Sequence, residues 1–361
     1  MNVVIRTDAS LEIGTGHVMR CTTLAKQLER EGANITFICR NFPGNSILFL
    51  QNQGFNVYTL TLPKTQNHYQ WIRENWKQDV EDTKSAIASL NKNVDLLIID
   101  HYGLDINWES EMRLEVKHIM VIDDLANRTH DCDLLLDQNY YINMENRYNG
   151  LLPNSCIQLL GPNYVLLRDE FLLIDPSKIN RDGNVKNVLV FFGGTDPTGE
   201  TMKTIQAIQK LNCSEVNFNI VVGAANPQRR KIEYICSKSS NITFHCQVSN
   251  MAELMMNADL SIGAGGSTTW ERCFLQLPSI IIIVAENQRE IAHAVARKGA
   301  SICIGESSHI TNHHIQEEFF NILDSSEKIV KMSSKCSLIM NPQIVKRNKT
   351  VERIKSLLFK N

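Results

Sequence analysis

Short apolar runs alternate with segments of helical periodicity along almost the whole chain. The runs "NVVIRTD", "NITFICR" and "DLLIIDHYG" stay apolar for several residues, whereas "HVMRCTTLAKQLEREG" repeats its apolar residues at the spacing of one helix face. Continuous apolar runs are typical of parallel strands that are covered on both sides, and their alternation with helices indicates the α/β class. The pattern therefore predicts doubly wound, Rossmann-like domains.

The alternation occurs in two series, and a chain of 361 residues is long enough for two domains. The polar stretch 176–187, "PSKINRDGNVKN", contains Pro and Gly and predicts a linker between them. We therefore expect an N-terminal domain over 1–175, a C-terminal domain over 188–340 and a separate amphipathic helix within 341–361. Ligands bind at the carboxyl ends of strands in such sheets, so we expect the two domains to face each other across a cleft.

Composition and charge exclude several classes of protein. The chain is 43% hydrophobic and 21% charged, with a formal net charge of -2 and scattered basic residues, so no nucleic-acid partner is predicted. The run "IIIIV" from Ile280 is far shorter than the roughly 20 residues that span a bilayer, so no membrane contact is predicted. The ten cysteines form no C-x-x-C pair and the N-terminus begins in a strand pattern without a signal peptide, which predicts a cytoplasmic protein with reduced thiols.

A glycine-containing loop connects the first strand to the first helix and ends in a histidine. In "IGTGHVMR", residues 13–20, Met19 stands where a dinucleotide-binding fingerprint needs its third glycine, so NAD binding is not predicted. Gly16 would let a substrate approach the backbone, and His17 falls in the first helical turn. The positive end of a helix disfavours imidazolium, so we expect a neutral imidazole that faces solvent and takes a proton from water. A histidine that only caps the helix is the alternative.

The segment "ADLSIGAGGSTTWERCFLQLPSIIIIVAENQ", residues 258–288, arranges ligand-binding features in order. A glycine-rich turn opens a helix whose free N–H groups suit a diphosphate, and an acid follows that suits the vicinal hydroxyls of a ribose. Two amides after the next strand suit a sugar or a phosphate. Glycines are also common in tight turns that bind nothing. The whole series of features in this order therefore indicates a binding site more strongly than any single residue does. The predicted binding residues are Gly265, Gly266, Ser267, Glu271, Asn287 and Gln288.

Two further strand ends carry candidate residues. In "FFGGTDP", residues 191–197, Gly194 could approach a sugar or phosphates, whereas Asp196 before a proline is better explained as a helix N-cap. In "IIDHYG", Tyr102 is expected to face the substrate, and His101 is as easily a packed histidine.

Neither a metal site nor a cofactor is predicted. The string "HDCD" at 130–133 contains the D-x-D that metal-dependent sugar transferases use, but the strand-like "LLLD" follows at once and no further ligand lies in helical register. A solvated turn is the better interpretation. His313 and His314 lie in a polar helical stretch and are expected at the surface. The sequence contains no zinc-type Cys/His spacing and no Walker A loop.

Read in order, these segments resemble the hydrolases of pseudaminic acid biosynthesis that cleave UDP-2,4-diacetamido-2,4,6-trideoxy-β-L-altropyranose. The resemblance is carried by "IRTDASLEIGTGHVMR", "LLIIDHYGLD", "NYVLLRDEF", "FFGGTD" and "IGAGGSTTWERCFLQLPS" with the later "AENQ". The "IGAGG" segment alone also resembles the UDP-binding half of MurG-type transferases, so by itself it indicates only a UDP-sugar. Little after residue 305 can be aligned.

The resemblance implies a GT-B-like pair of domains with UDP held mainly by the C-terminal one. It implies metal-independent, inverting attack of water at the anomeric carbon, releasing UDP and 2,4-diacetamido-2,4,6-trideoxy-L-altrose. The family's catalytic histidine matches His17, and its substrate-binding arginine matches Arg168 in "LLRDEF". Its binding acid and amide match Glu271 and Asn287.

Two other functions compete with hydrolysis. An inverting glycosyltransferase would share the fold and the UDP site but would use an acceptor instead of water. No apolar and basic membrane-facing patch is evident in the N-terminal half, which favours the hydrolase. A catalytically silent nucleotide-sugar binding protein is the second alternative, and the presence of His17, Arg168 and Glu271 argues against it. A monomer is expected, because the cleft requires no partner chain.

Overall fold

The computed structural model describes residues 1–62, 67–211 and 213–359. Contacts between Cα atoms divide the chain into two compact units. The first unit contains residues 1–139 and 143–166 together with the C-terminal segment from Arg347, and the second contains 140–142 and 167–346. No helix in the described residues combines the length and the apolarity needed to cross a membrane.

The first unit is built on a sheet of parallel strands in the order β3-β2-β1-β4-β5-β6-β7. The strands are β1 Asn2–Thr7, β2 Asn34–Arg40, β3 Asn56–Leu60, β4 Val94–Asp100, β5 Val116–Ile122, β6 Leu134–Asp137 and β7 Ile157–Leu160. The helices between them are α1 Gly16–Arg30, α2 Ile47–Asn52, α3 His68–Glu74, α4 Trp76–Ser89 and α5 Ile106–Met112. The strand order reverses direction beside β1, which creates a topological switch point between β1 and β4.

The second unit is built on a sheet of parallel strands in the order β10-β9-β8-β11-β12-β13. The strands are β8 Asn187–Phe191, β9 Asn217–Val222, β10 Ile242–Cys246, β11 Leu260–Ala264, β12 Ser279–Ile283 and β13 Ser301–Glu306. The helices are α6 Asp169–Leu172, α7 Glu200–Gln209, α8 Arg229–Cys236, α9 Met251–Asn257, α10 Thr268–Phe274, α11 Arg289–Arg297, α12 Asn312–Leu323, α13 Ser326–Ile339 and α14 Pro342–Lys346. This strand order is that of a Rossmann fold, as the alternating pattern predicts.

The sequence of α1 explains why it forms and how it is oriented. Val18, Cys21, Ala25 and Leu28 recur at the spacing of one helix face, and all are at most 1% exposed. This face packs against the sheet in the apolar core of the first unit, together with residues of β1 and β2. The helix ends where Gly32 takes a positive φ of 82°. Its first turn is thereby fixed beside the carboxyl end of β1.

The predicted linker between the domains is held by specific contacts. Residues 176–187, predicted as a linker, lie within the second unit, where the guanidinium of Arg181 donates to the backbone carbonyls of Met255, Leu275 and Gln276. These bonds tie a largely polar segment to the second unit, and Val185 of the same segment packs against the apolar core of that unit.

The last described helix, α15 Lys349–Leu358, belongs to the first unit. Val351 and Ile354 join the apolar core of that unit, and the hydroxyl of Thr350 donates to the carbonyl of Tyr164 at 2.7 Å. The chain therefore returns to its first unit after completing the second.

Candidate active site

The loop between β1 and α1 places His17 at the carboxyl end of the first sheet. Ser10 and Gly14 form an isolated bridge, and the amide of Gly14 donates to the carbonyl of Ser10 at 2.8 Å, so the loop turns tightly. Gly14 has a φ of +77°, a conformation that favours glycine. Gly16 is the first residue of α1 and is exposed, and nothing lies within 4 Å of the position a Cβ would take.

His17 is paired with the carboxylate that ends β4. The register of β1 and β4 aligns Thr7 with Asp100, so the loop after β1 lies beside this acid. Nδ1 of His17 lies 2.6 Å from Oδ1 of Asp100. A carboxylate accepts only, so Nδ1 carries the proton of this bond, and in the neutral ring Nε2 is then the basic nitrogen. Among the described residues, none forms a hydrogen bond with Nε2.

The ring of His17 is more buried than the sequence predicts. Its side chain is 7% exposed, and the ring packs against Tyr102 edge to face with centroids 4.5 Å apart. The pairing with Asp100 causes this burial, because it draws Nδ1 down onto the end of a central strand. The expectation of a ring that simply faces solvent is therefore corrected.

Arg20 and Asp124 complete this group of side chains. Arg20 donates from Nε and Nη2 to the two oxygens of Asp100, both at 2.6 Å, and from Nη1 to Oδ2 of Asp124 at 2.9 Å. The hydroxyl of Tyr102 donates to Oδ1 of Asp124 at 2.5 Å. We call His17, Arg20, Asp100, Tyr102 and Asp124 the His17 cluster. It lies at the switch point of the first sheet, where α/β proteins bind ligands.

The electrostatics of the His17 cluster favour an ionised Asp100. Burial alone raises the pKa of this carboxyl, but Arg20 and His17 outweigh that effect and hold its pKa well below its usual range. The neighbouring His101 differs, because burial lowers the pKa of its imidazole to about 4. Its Nδ1 accepts from the amide of Gly103 at 2.9 Å, so His101 is a packed, neutral histidine.

A buried ionic network lies in the same sheet. Asp79 of α4 accepts from Arg6 of β1 at 2.8 Å and from Arg40 of β2 at 2.5 Å, and Nε1 of Trp108 donates to it at 3.1 Å. Arg6 also contacts Asp8 at 2.8 Å. The network ties two strands to the helices on one face of the sheet.

In the second unit, Arg168 and Glu271 are brought together. Nε and Nη2 of Arg168 both lie 3.0 Å from Oε1 of Glu271, and Nη1 lies 2.6 Å from Oε1 of Glu170. Oε2 of Glu271 is buried and has no hydrogen-bond partner among the described residues. Burial raises the pKa of Glu271, an effect that Arg168 opposes. An unsatisfied buried acceptor of this kind is costly unless a ligand donates to it.

The glycine-rich loop, residues 265–267, connects β11 to α10. The amide of Gly265 donates to Oε1 of Gln288 at 3.2 Å, and a Cβ at Gly266 would lie 3.4 Å from Nε2 of the same side chain. Gln288 therefore supports the loop through its side chain. Ser267 and Asn287 are both exposed, the latter on a short 3₁₀ helix, Glu286–Gln288, after β12.

Gly194 lies in the exposed loop after β8, which approaches the loop after β9 closely. A Cβ at Gly223 would lie 2.3 Å from the carbonyl oxygen of Gly194, so this approach requires glycine. Asp196 acts as the expected cap, because its carboxylate accepts from the amides of Glu200 and Thr201 at 2.9 and 2.8 Å.

The segment 130–133 is more ordered than the solvated turn that the sequence predicts. His130 is buried and lies 2.7 Å from a carboxylate oxygen of Glu109, and Asp131 and Asp133 both pair with Arg113. These ion pairs fix the turn before β6. No group of three or more His, Cys, Asp or Glu side chains suited to a metal ion occurs within the described residues.

The predicted site residues fall into two sets, one in each unit. His17, Gly16 and Tyr102 belong to the first, and the second holds the remaining predicted residues: Arg168, Gly194, Gly265, Gly266, Ser267, Glu271, Asn287 and Gln288. Sequence reasoning did not assign roles to Arg20, Asp100 and Asp124. Two signals in the sequence point to these residues. Acids end the strand-like runs "LLIID" and "VIDD", and His17 and Arg20 have the i, i+3 spacing that places them on one face of a helix.

The two sheets and their strand orders define a GT-B-like α/β protein. Residues 188–351 match the model of the glycosyltransferase family 28 C-terminal domain. The MurG structure from Acinetobacter baumannii is similar in fold, with a TM-score of 0.67 and 15% sequence identity over 98% of this chain and 99% of that one. The predicted fold class is therefore confirmed.

Among curated proteins, the chain is similar to the UDP-2,4-diacetamido-2,4,6-trideoxy-β-L-altropyranose hydrolase of Campylobacter jejuni. The two are 28% identical over 302 residues, which cover 84% of this chain and 98% of that protein. An uncharacterized protein of Methanocaldococcus jannaschii, MJ1062, is 27% identical over 296 residues, and this match covers 80% of this chain but only 57% of that protein. The resemblance seen in the sequence is thus confirmed.

Proposed function

We propose that the protein is an enzyme acting on UDP-sugars, and specifically that it hydrolyses UDP-2,4-diacetamido-2,4,6-trideoxy-β-L-altropyranose in pseudaminic acid biosynthesis. The products are UDP and 2,4-diacetamido-2,4,6-trideoxy-L-altrose. The observation that carries this proposal is the His17–Asp100 pair at the switch point of the first sheet, a general-base arrangement in a chain that is similar to such a hydrolase over 84% of its length.

In this reaction Nε2 of His17 takes a proton from water while the water oxygen attacks the anomeric carbon. The bond from that carbon to the UDP oxygen breaks, its electron pair leaves with UDP, and the configuration inverts. Asp100 accepts from Nδ1 throughout and stabilises the imidazolium that forms. A positioned general base contributes about 10²- to 10⁴-fold to such a step. Diphosphate is a good leaving group, and the reaction needs no metal.

Residues of the second unit are proposed to bind the nucleotide. The buried, unpartnered Oε2 of Glu271 suits a ribose hydroxyl donor, and Arg168 keeps the carboxylate in place. The loop residues Gly266, which is half-buried, and Ser267, which is exposed, suit the diphosphate, and the exposed Asn287 amide suits a phosphate or sugar oxygen. Gly194 lies on the adjoining loop after β8.

The test is incubation with the UDP-sugar in the absence of any acceptor, in buffer containing EDTA, with UDP release measured by chromatography. The wild type should release UDP, whereas His17→Asn and His17→Leu should lose at least about 100-fold in rate. Both variants should bind UDP nearly as well as the wild type in calorimetry. His313→Asn, which alters an exposed histidine of α12, is the matched control and should behave as the wild type.

An inverting UDP-sugar glycosyltransferase is the second candidate, since residues 188–351 match a glycosyltransferase domain. A transferase would release UDP at a useful rate only when an acceptor is added. UDP release that depends on an added acceptor would therefore replace the hydrolase proposal with this one. Binding of the UDP-sugar without turnover under either condition would contradict both.

A further inference from the structure

The guanidinium of Arg20 joins two carboxylates from different strands. Its Nε and Nη2 reach the two oxygens of Asp100 at the end of β4, and its Nη1 reaches Asp124, two residues beyond the end of β5. The side chain of Arg20 is only 12% exposed, so these charge-assisted bonds are shielded from water. Such an arrangement fixes both carboxylates with respect to α1.

The same guanidinium lies against the imidazole of His17. Nη2 of Arg20 is 3.2 Å from Nδ1 of His17, and both nitrogens lie 2.6 Å from Oδ1 of Asp100. Two donors therefore share one acceptor oxygen. A carboxylate that is already paired with a guanidinium attracts a proton on the ring less strongly, and the guanidinium itself repels an imidazolium.

We propose that Arg20 is a positioning residue that sets the protonation state of His17. This inference rests on the proposed role of His17 as the general base. Asp100 accepts the hydrogen bond from Nδ1, but an unpaired carboxylate would also stabilise the doubly protonated imidazolium. Arg20 weakens this second effect because it neutralises much of the charge of Asp100. Without Arg20, the imidazolium would persist to higher pH and the base would be blocked near neutrality.

Asp124 extends this arrangement to the aromatic side of His17. Its Oδ2 accepts from Arg20 and its Oδ1 from the hydroxyl of Tyr102, whose ring packs edge to face on the imidazole. The Arg20–Asp124 pair therefore orients the ring of His17 from two sides. The charged and titratable groups that face His17 or its partners are Asp100, Arg20, Cys21, Tyr69, His101, Tyr102 and Asp124.

The experiment is a titration of the His17 imidazole by NMR in the full-length protein, without substrate. Arg20→Met should move the titration midpoint of His17 to higher pH by at least about one unit, the size expected for loss of a neighbouring charge. Arg20→Lys keeps the charge and should move the midpoint less. Arg30→Met, the same substitution about 15 Å away at the other end of α1, is the control and should leave the midpoint unchanged.

Activity on the UDP-sugar provides the second readout. The acid limb of the kcat/KM profile of Arg20→Met should move to higher pH with the titration midpoint, so that the rate lost at pH 7 is largely recovered near pH 9. KM should change by less than about threefold, because Arg20 is not assigned to substrate binding. A purely structural role would lower the rate equally at all pH values.

The outcomes separate this inference from the proposed function. A midpoint and pH profile of Arg20→Met that superimpose on those of the wild type overturn the role of Arg20. Absence of UDP release by the wild type overturns the proposed function, while the NMR titration still tests Arg20. If Arg20→Met does not fold, Arg20→Gln, which also removes the charge, is measured in its place, and an unshifted midpoint in that variant overturns the inference.

Discussion

At the scale of single residues, the carboxylate of Asp100 determines how the imidazole of His17 can act. It accepts from Nδ1 of His17 and from two nitrogens of Arg20, and these contacts keep its pKa well below its usual range. An acceptor that stays ionised fixes the tautomer with Nδ1 protonated and Nε2 available as a base. In the proposed mechanism, the basicity of Nε2 therefore depends on Asp100 and Arg20 as well as on His17.

Asp100→Asn should lower kcat by at least about 100-fold, because an amide can present its NH₂ group to Nδ1 and so favour the wrong tautomer. UDP binding should be unchanged. Steady-state kinetics and calorimetry check both expectations. Asp95→Asn, at the opposite end of β4, is the control, and equal losses in the two variants would show that Asp100 matters only for folding.

Glu271→Gln should weaken UDP binding by about 10- to 100-fold, the cost of losing a hydrogen bond to a charged acceptor. The amide keeps the size of the side chain but offers one acceptor oxygen instead of two. Isothermal calorimetry with UDP measures the change, with Glu233→Gln on the exposed surface of α8 as the control. Unaltered affinity would remove Glu271 from the nucleotide site.

The position of His17 in the first turn of α1 could be predicted from the sequence because glycines precede it and a helical pattern begins there, whereas the contacts of Arg20 could not. Its role depends on the lateral order of the sheet, which brings the ends of β4 and β5 beside α1. Local periodicity predicts that strands exist but not which strands are neighbours. The burial of His17 could not be predicted for the same reason, because its partner Asp100 lies 83 positions away in the sequence.

At the scale of helices and strands, the sequence predicted most of the elements but not how polar segments are held. The apolar runs mark β1, β2 and β4 in the first sheet and β11 and β12 in the second, because strands covered on both faces are largely apolar. Residues 130–133 and 176–187 look solvated, yet Arg113 and Arg181 tie them to the units by ion pairs and carbonyl contacts. Such long-range pairing leaves no periodic signal.

Asp79→Asn should destabilise the first unit by about 3–5 kcal/mol at pH 7, because it leaves Arg6 and Arg40 without a buried counter-charge. Although burial alone raises the pKa of Asp79, the two arginines lower it to about 2. Its stabilising effect is therefore complete above its usual value near 3.8 and is lost as pH falls toward 2.

Denaturant unfolding of Asp79→Asn and the wild type between pH 2 and 7 tests this prediction. The difference in unfolding free energy should shrink below about pH 4, where the wild type begins to lose its advantage. Asp324→Asn, an exposed residue after α12, should show no such difference. A constant difference across the whole pH range would contradict the assignment to the Asp79 carboxylate.

At the scale of the whole molecule, the chain forms two α/β units and ends by returning to the first. Two Rossmann-like series could be predicted from the sequence because the alternating pattern repeats. The unit against which α15 packs could not be predicted, because an amphipathic helix is compatible with packing on either unit. Its apolar residues complete the core that contains α1, which carries His17 and Arg20.

Ile354→Ala should lower the free energy of unfolding of the first unit by about 2–4 kcal/mol, because it removes buried volume from its core. Hydrogen exchange by mass spectrometry should show the loss in β1 and α1 and not in the second sheet. Leu338→Ala, at a position 67% exposed on α13, is the control. A loss of protection confined to the second unit would contradict this packing.

The central claim, that His17 activates water for attack on the anomeric carbon of a UDP-sugar, is tested most directly by turnover of UDP-2,4-diacetamido-2,4,6-trideoxy-β-L-altropyranose in H₂¹⁸O, with the mass of the released UDP as the readout. Attack at carbon breaks the bond between that carbon and oxygen, so the account predicts UDP without ¹⁸O from the wild type and almost no UDP from His17→Asn. UDP that carries ¹⁸O, or undiminished release by His17→Asn, would contradict it.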